Sequence, residues 1–303
     1  MSSTHFPALP WPPEPAGPLD ATRFDVPQAN WLLDFHGSLQ DPDLVLFMAG
    51  NQFRALPQLL QAFRDSAPAR DLGVDRIFYA TTPPGRLVDA MASGRLASGN
   101  FVIEIDPQRL WPDAFMAGPR EHQRLAAAGH IEDAASAATY ARNRGVALLV
   151  RAGNPLGITQ ARDLARDDVR VAISTKEREG TSFASYSATL DAQGGAGLTE
   201  AVVRKGTTRH SQFVHHREVP QLIADGRADA GPVYLHIATY LAAAMPDIFD
   251  VVVLPEAGNF RDELSIVLLR DTPRPAAARA WRDFLLGPDA APLLARHGFD
   301  APG

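Results

Sequence analysis

A chain of 303 residues with 46 % hydrophobic content is long enough for two cores and longer than one core usually supports. Its net charge of −6 argues against a generic nucleic-acid binder, while local basic groups still leave room for a small-anion site. Without cysteine there are no disulfides, thiolate nucleophiles or cysteine–metal sites, and no apolar run reaches the ~18 residues of a membrane span.

The opening stretch, MSSTHFPALPWPPEPAGPLD, has neither a basic n-region nor an apolar h-region, so it does not read as a secretory signal. Its prolines block regular structure, and residues 1–38 are expected to form a Pro-rich arm lying on the surface or disordered. As written, the chain is expected in the cytoplasm, or in the periplasm if a native leader is missing from it.

From residue 43 short apolar runs alternate with helical patterns, the signature of a mostly parallel sheet covered by helices. DLVLFMAG (43–50) reads as a buried strand, and ALPQLLQAF after it has helical spacing. RIFYA (76–80) is a strand, TTPPG a turn, RLVDAMASG a helix, and NFVIEID (100–106) a third strand. Residues 120–143 read as one helix rich in Ala, Arg and Glu. VALLVRAGNP (146–155) is a strand ending in a Gly-Asn-Pro break, followed by a short helix and the strand VRVAIS (169–174). A helix after Glu179-Gly180-Thr181-Ser182 runs to about residue 190 and is ended by Gly194-Gly195. VPQLIADG is a helix opened by Pro220, ADAGPVYL and FDVVVLP are strands, and ELSIVLLR (263–270) leads into two closing helices.

Four of these segments, in order, resemble the periplasmic molybdate- and tungstate-type solute-binding proteins. They are LVLFMAGNQFRALPQLLQAF, VALLVRAGNPLGITQARDLARDDVRVAIS, EVPQLIADGRADAGPVY and FLLGPDAAPLLARHGF, which together reach from residue 43 to 299. The resemblance implies an α/β chain with two Rossmann-like lobes joined by two crossing strands, the type II periplasmic-binding-protein fold. Carried onto this chain, lobe 1 is 39–150 plus 267–303 and lobe 2 is 151–266. The ligand is expected in the interlobe cleft, with hinge closure around it.

In such a fold helix N-termini at the carboxyl ends of strands offer free amides, a geometry suited to oxyanions. Four entrances follow. The first is Gly50, Asn51 and Gln52; the family places a serine where Asn51 stands, and the structural alternative is Asn51 as an N-cap. Thr81 and Thr82 match the family's second hydroxyl-rich loop. At the third, Gly180 allows close backbone approach while Thr181 or Ser182 caps the helix or donates to a ligand.

The fourth entrance carries His215, His216 and Arg217 ahead of Pro220. The resemblance puts a backbone amide near Val219 on the ligand, with Tyr234 as a phenolic donor. Arg217 suits bidentate anion recognition, and one of the two histidines is expected to serve as a charge-tuned donor. Solvent-facing Arg217 and a structural histidine are the alternatives.

Two rivals are weaker. His210, His215, His216 and Glu218 are ligand types that zinc accepts, but no pair of histidines stands at i, i+4 on a helix. No G-x-S-x-G elbow or phosphate loop occurs, and His216 with Glu218 is an acid–base pairing easily found by chance. The expected function is therefore a non-enzymatic, monomeric solute-binding protein for a small anion such as molybdate or tungstate. It would use no cofactor, bind no nucleic acid and deliver its ligand to an ABC transporter permease. The alternative is a cytoplasmic anion or metal-cofactor sensor or chaperone using the same fold.

Overall fold

The computed structural model describes residues 34–37, 39–98, 101–212 and 214–302, so the expected arm falls outside the described residues up to residue 33. In chain order the strands begin with β1 (Phe35–Gly37), β2 (Leu44–Met48), β3 (Ile77–Ala80), β4 (Arg95–Ser98), β5 (Phe101–Glu104), β6 (Ala114–Ala117) and β7 (Ala138–Asn143). They continue as β8 (Val146–Arg151), β9 (Ala172–Ile173), β10 (Arg209–His210), β11 (Ala230–Tyr234), β12 (Phe249–Val253), β13 (Glu263–Leu268) and β14 (Phe299–Asp300). The helices are α1 (Leu56–Arg64), α2 (Ala67–Asp71), α3 (Pro84–Ser93), α4 (Pro119–Ala127) and α5 (Gly180–Gly194). After them come α6 (Leu198–Arg204), α7 (His215–Ala224), α8 (Leu235–Ala244), α9 (Pro275–Leu286) and α10 (Ala290–Arg296).

The described residues divide into two compact units, one of residues 34–142 and from Glu263 onward, the other of Asn143–Asp262. It passes between them a few residues ahead of the expected 150/151 and 266/267. The reason is strand pairing: β8 is hydrogen-bonded on both sides by β11 and β12, and β13 by β6 and β7.

The first unit is built on a sheet of order β1-β3-β2-β6-β13-β7-β14. The sheet is mixed, which corrects the expectation of a mostly parallel one. β2 runs parallel to β3 and β6, whereas β1 and β13 pair antiparallel with their neighbours. β1 also shortens the expected arm, because residues 35–37 are an edge strand. On α1 the buried residues Leu56, Leu59, Leu60 and Phe63 follow the 3.6-residue period and pack toward α9, where the Trp281 ring meets Phe63 edge-on at 5.1 Å.

The long helix expected over 120–143 is instead α4 followed by β7. Gly129 takes a positive φ of 77°, a conformation that ends the helix readily because glycine has no Cβ. Asp133 then caps a short 3-10 turn, and the ATYARN segment is held extended by β13. Composition favours helix there; pairing to a buried neighbour decides otherwise.

The second unit combines an antiparallel sheet, β11-β8-β12, with the parallel pair β9 and β10. A single parallel bridge between Val171 and Ala230 ties the two together. Lys205, just past α6, donates to the carbonyls of Leu164, Arg166 and Val169 at 2.9, 2.6 and 2.6 Å. These oxygens close a short 3-10 turn and the loop into β9, and the half-buried ammonium gives all three a common donor. Lys205→Met is expected to lower the stability of this unit by about 1–2 kcal/mol, read by thermal melting. An unchanged melting curve would mean that water replaces the ammonium at no cost.

Candidate functional site

In the first unit the parallel register places Phe47 opposite Ala80 and Met48 opposite Met116. The loops after β2, β3 and β6 therefore leave the sheet at one edge, where their strands end. Asn51 and Gln52 lie buried in a 3-10 turn over Gly50–Gln52. The capping alternative for Asn51 is overturned: the residue before α1 is Ala55, and it makes no side-chain cap. Tyr140 donates its phenol to Gln52 Oε1 at 2.6 Å, which orients the Gln52 amide. Thr81 bonds the Asp34 carbonyl through its backbone N–H at 2.8 Å and its hydroxyl at 3.5 Å. Thr82 Oγ1 is buried without a hydrogen-bond partner among the described residues.

In the second unit β9 and β10 run parallel, with His210 opposite Ile173, so Ser174 and Ser211 follow side by side at their carboxyl ends. β11 ends beside them in Tyr234. Two helices start here, α5 after Glu179 and α7 after Val214, and the Glu179 carboxylate links them. Its oxygens accept the His215 backbone N–H at 2.9 and 3.0 Å, His215 Nδ1 at 2.7 Å and Ser211 Oγ at 2.5 Å. Glu179 is 6 % exposed and His215 4 %, so this is a desolvated pair.

These contacts revise the picture of the fourth entrance. α7 starts at His215, not Pro220, which sits inside the helix. Pro220 has no N–H to give the His216 carbonyl, yet the helix begins early because carboxylates cap it. Glu179 takes the first amide, and Glu218 folds back to accept the N–H groups of Gln212 and Val214 at 2.6 and 2.7 Å. His215 and His216 are thus consecutive helical residues, both buried, with perpendicular rings 4.9 Å apart. Arg217 is half-buried in the same turn and Val219 is fully buried.

Burial raises the Glu179 carboxyl, but the charge and hydrogen bonds of His215, with Ser211, outweigh it and hold the group below its ordinary value. It is therefore ionised. Burial drives His216 well below 6.5, aided by the nearby charges of His215, Arg217 and His236, so this ring stays neutral. Burial pushes the Tyr186 and Tyr234 phenols far up and raises Asp262. The Tyr234 hydroxyl is already engaged within the unit, where it bonds Ser185 and Asp262. Asp262 further accepts Ser185 Oγ at 2.7 Å and Asn143 Nδ2 at 3.1 Å.

Of the residues expected from sequence, the structure brings Ser182, His215 and Tyr234 into one cluster, with Gly180 and Thr181 in the same helical turn as Ser182. Asn51, Gln52, Thr81 and Thr82 belong to the first unit. Sequence reasoning missed Ser185, Tyr186, Ser211 and Asp262. Ser185 and Tyr186 sit three and four residues past Ser182, a helical spacing that could have pointed to them. Nothing local marks Ser211 or Asp262.

A Ser-His-Glu set invites comparison with a hydrolase triad, and its geometry fails. Ser182 Oγ lies 3.3 Å from His215 Nδ1, the nitrogen that already meets Glu179. Activation of a serine needs the acid and the hydroxyl on opposite ring nitrogens. Among the described residues no three His, Asp or Glu side chains are grouped to hold a metal ion, and no helix is long and apolar enough to cross a membrane.

Solved structures place the fold. The Azotobacter vinelandii periplasmic molybdate-binding protein aligns at a TM-score of 0.65 and 19 % identity, covering 86 % of this chain and 100 % of that one. The sulfate-binding protein SubI from Mycobacterium tuberculosis H37Rv aligns at 0.65 and 19 %, covering 85 % and 86 %. Iron-bound HitA from Pseudomonas aeruginosa aligns at 0.57 and 12 %, covering 84 % of each. No curated protein matches by sequence. The model of the family described as bacterial extracellular solute-binding protein matches residues 44–300, nearly all of the described chain, and on that match this chain belongs to the bacterial extracellular solute-binding family of transport proteins.

Proposed function

We propose that the chain captures a small anion, an oxyanion such as molybdate or tungstate or a related anionic solute, outside the cytoplasm for an ABC-type permease. The observation that carries this reading is the N-terminus of α5. An α-helix leaves its first amides without intrahelical acceptors, and here the preceding Glu179 makes no side-chain cap, its carboxylate being committed to α7. The first amides of α5, those of Gly180 and Ser182 among them, and the positive end of a 15-residue helix form an anion-binding geometry. Beside them, Ser174 Oγ and Thr175 Oγ1 are buried without partners among the described residues. Buried hydroxyls left unbonded are costly in a native fold, and a ligand that accepts from them removes that cost. In the first unit Thr82 Oγ1 and Gln52 Nε2 are likewise buried and unbonded among the described residues.

A thermal-shift panel of molybdate, tungstate, sulfate, phosphate and small carboxylates tests this reading. An anion at about 100 times its dissociation constant should stabilise the fold by about 2.7 kcal/mol, a rise of a few degrees in Tm. A chain indifferent to every anion in the panel is not an anion carrier.

A further inference from the structure

A carboxylate that caps a helix ordinarily belongs to the residue just ahead of it, where its oxygens reach the first turn. Glu179 departs from that pattern. It directly precedes α5 and makes no side-chain cap there, yet it takes the first amide of α7, 36 positions further along the chain. The groups that hold its oxygens are the His215 backbone N–H at 2.9 and 3.0 Å, His215 Nδ1 at 2.7 Å and Ser211 Oγ at 2.5 Å. An ionised carboxylate only accepts, so all three are donors. Ser211 is fully buried and His215 is 4 % exposed.

These donors come from the loop after β10 and from the first residue of α7, and none comes from α5. The cradle therefore belongs to residues 211–215, and only the carboxylate inside it belongs to the α5 side. The rest of the α7 start is served internally: the amides of Arg217 and Glu218 donate to the Val214 carbonyl at 3.1 and 3.0 Å. We propose that the start of α7 is a carboxylate-binding site which this chain fills with its own Glu179 as a tethered ligand, confining the solute, within this unit, to the start of α5. The proposal goes beyond the anion reading and does not depend on it.

The chemistry of the cradle suits one carboxylate head group. The positive end of a 10-residue helix, a backbone N–H, a ring N–H and a hydroxyl converge on two oxygens, with charge-assisted bonds in a desolvated setting. A short tether supplies the Glu179 carboxylate at an effective concentration on the order of millimolar or above, so dilute free anions do not displace it. Glu179 is thus a specificity-determining residue: it closes one of two neighbouring helix starts and leaves the amides of the other without a side-chain cap. A solute meeting one helix start presents one anionic head group to this unit.

Glu179→Ala removes the atoms of an acetate ion and leaves every donor of the cradle in place. Wild type and variant are melted across an acetate titration at constant ionic strength, with acetamide, the neutral isostere, in parallel. The variant should melt below the wild type, and acetate should return about 2–4 °C of the loss in a saturable way, beyond any rise the wild type shows. A rise common to both proteins belongs to α5 and to the anion reading; only the excess in the variant reports α7. Acetamide should give no excess, and adding Ser211→Ala to the variant should remove most of it, since that hydroxyl is one of the three donors. An acetate response no greater in the variant than in the wild type overturns the proposal, and so does an equal response to acetamide. A panel in which no anion stabilises the wild type removes the anion reading alone, and the excess in the variant still decides this one. If Glu179→Ala is recovered only unfolded, refolding from urea becomes the readout: a yield raised by acetate and not by acetamide supports the tethered ligand, and a yield indifferent to acetate overturns it.

Discussion

Arg274→Met lowers the stability of the first unit by about 3–5 kcal/mol, followed through tryptophan fluorescence during urea unfolding. Trp111 and Trp281, the tryptophans among the described residues, both belong to this unit, so their signal reports it. Asp113 is fully buried between β2 and the loop ahead of α9, and its carboxylate accepts the Val45 N–H at 2.6 Å, the Thr272 hydroxyl and Arg274 Nε at 2.7 Å. The remaining guanidinium nitrogens donate to the carbonyls of Pro42, Arg109 and Trp111 at 3.2, 2.8 and 2.9 Å. Removing the arginine leaves a desolvated carboxylate and three carbonyls without their donor, and such a penalty exceeds whatever the intact pair contributes. The arginine is only 15 % exposed, so solvent cannot substitute for it cheaply. Replacing both partners, as Arg274→Met with Asp113→Leu, should cost clearly less than the two single losses added together. A loss below about 1 kcal/mol for the single variant would show that the network is a surface contact in disguise.

The second large effect is one of pH. His122 on α4 is buried, and that burial lowers its pKa from 6.5 to about 4, against the opposing pull of the Phe115 carbonyl. Between pH 6.5 and about 4 the unfolded chain holds a proton on this ring that the folded chain does not, so stability rises with pH across that window. The contribution is fully present above pH 6.5, and lost as pH falls to about 4. Its size is about 3 kcal/mol, since the ring's pKa moves from 6.5 to about 4 and each tenfold change in proton affinity corresponds to about 1.36 kcal/mol. Fluorescence-monitored urea unfolding at stepped pH should show His122→Gln losing most of the acid-side decline that the wild type shows in excess of its carboxylates. Parallel stability curves for the two proteins would place the decline elsewhere.

The elements legible in sequence are those whose signal is local. The spacing of Leu56, Leu59, Leu60 and Phe63 specifies α1, and the apolar run from Val146 specifies β8, because side-chain period and burial coincide there. β6 escapes notice because AFMA is too short to show any period. β7 reads as helix because its residues have no strong strand preference and its conformation is imposed by β13. In sequence α8 merges into the end of β11, since LHIATYLAAA follows Tyr234 with no breaker between them. The start of α7 reads five residues late because a proline usually opens a helix, and the carboxylate that permits an earlier start lies 36 positions away in the chain.

By itself the sequence determined the alternation of strand and helix, the hydroxyl-rich turns at Thr81 and at Gly180 to Ser182, and the family, all of which rest on residues close together in the chain. Only the tertiary structure decided what His215 is. Its partner Glu179, the Ser211 that braces that partner and the Asp262 beyond Tyr234 are assembled by the parallel register of β9 with β10 and by the packing of α5 against α7. Register and desolvation are properties of the assembled unit: a carboxylate is held ionised, or an imidazole neutral, by the groups that exclude water from around it, and no run of neighbouring residues encodes them.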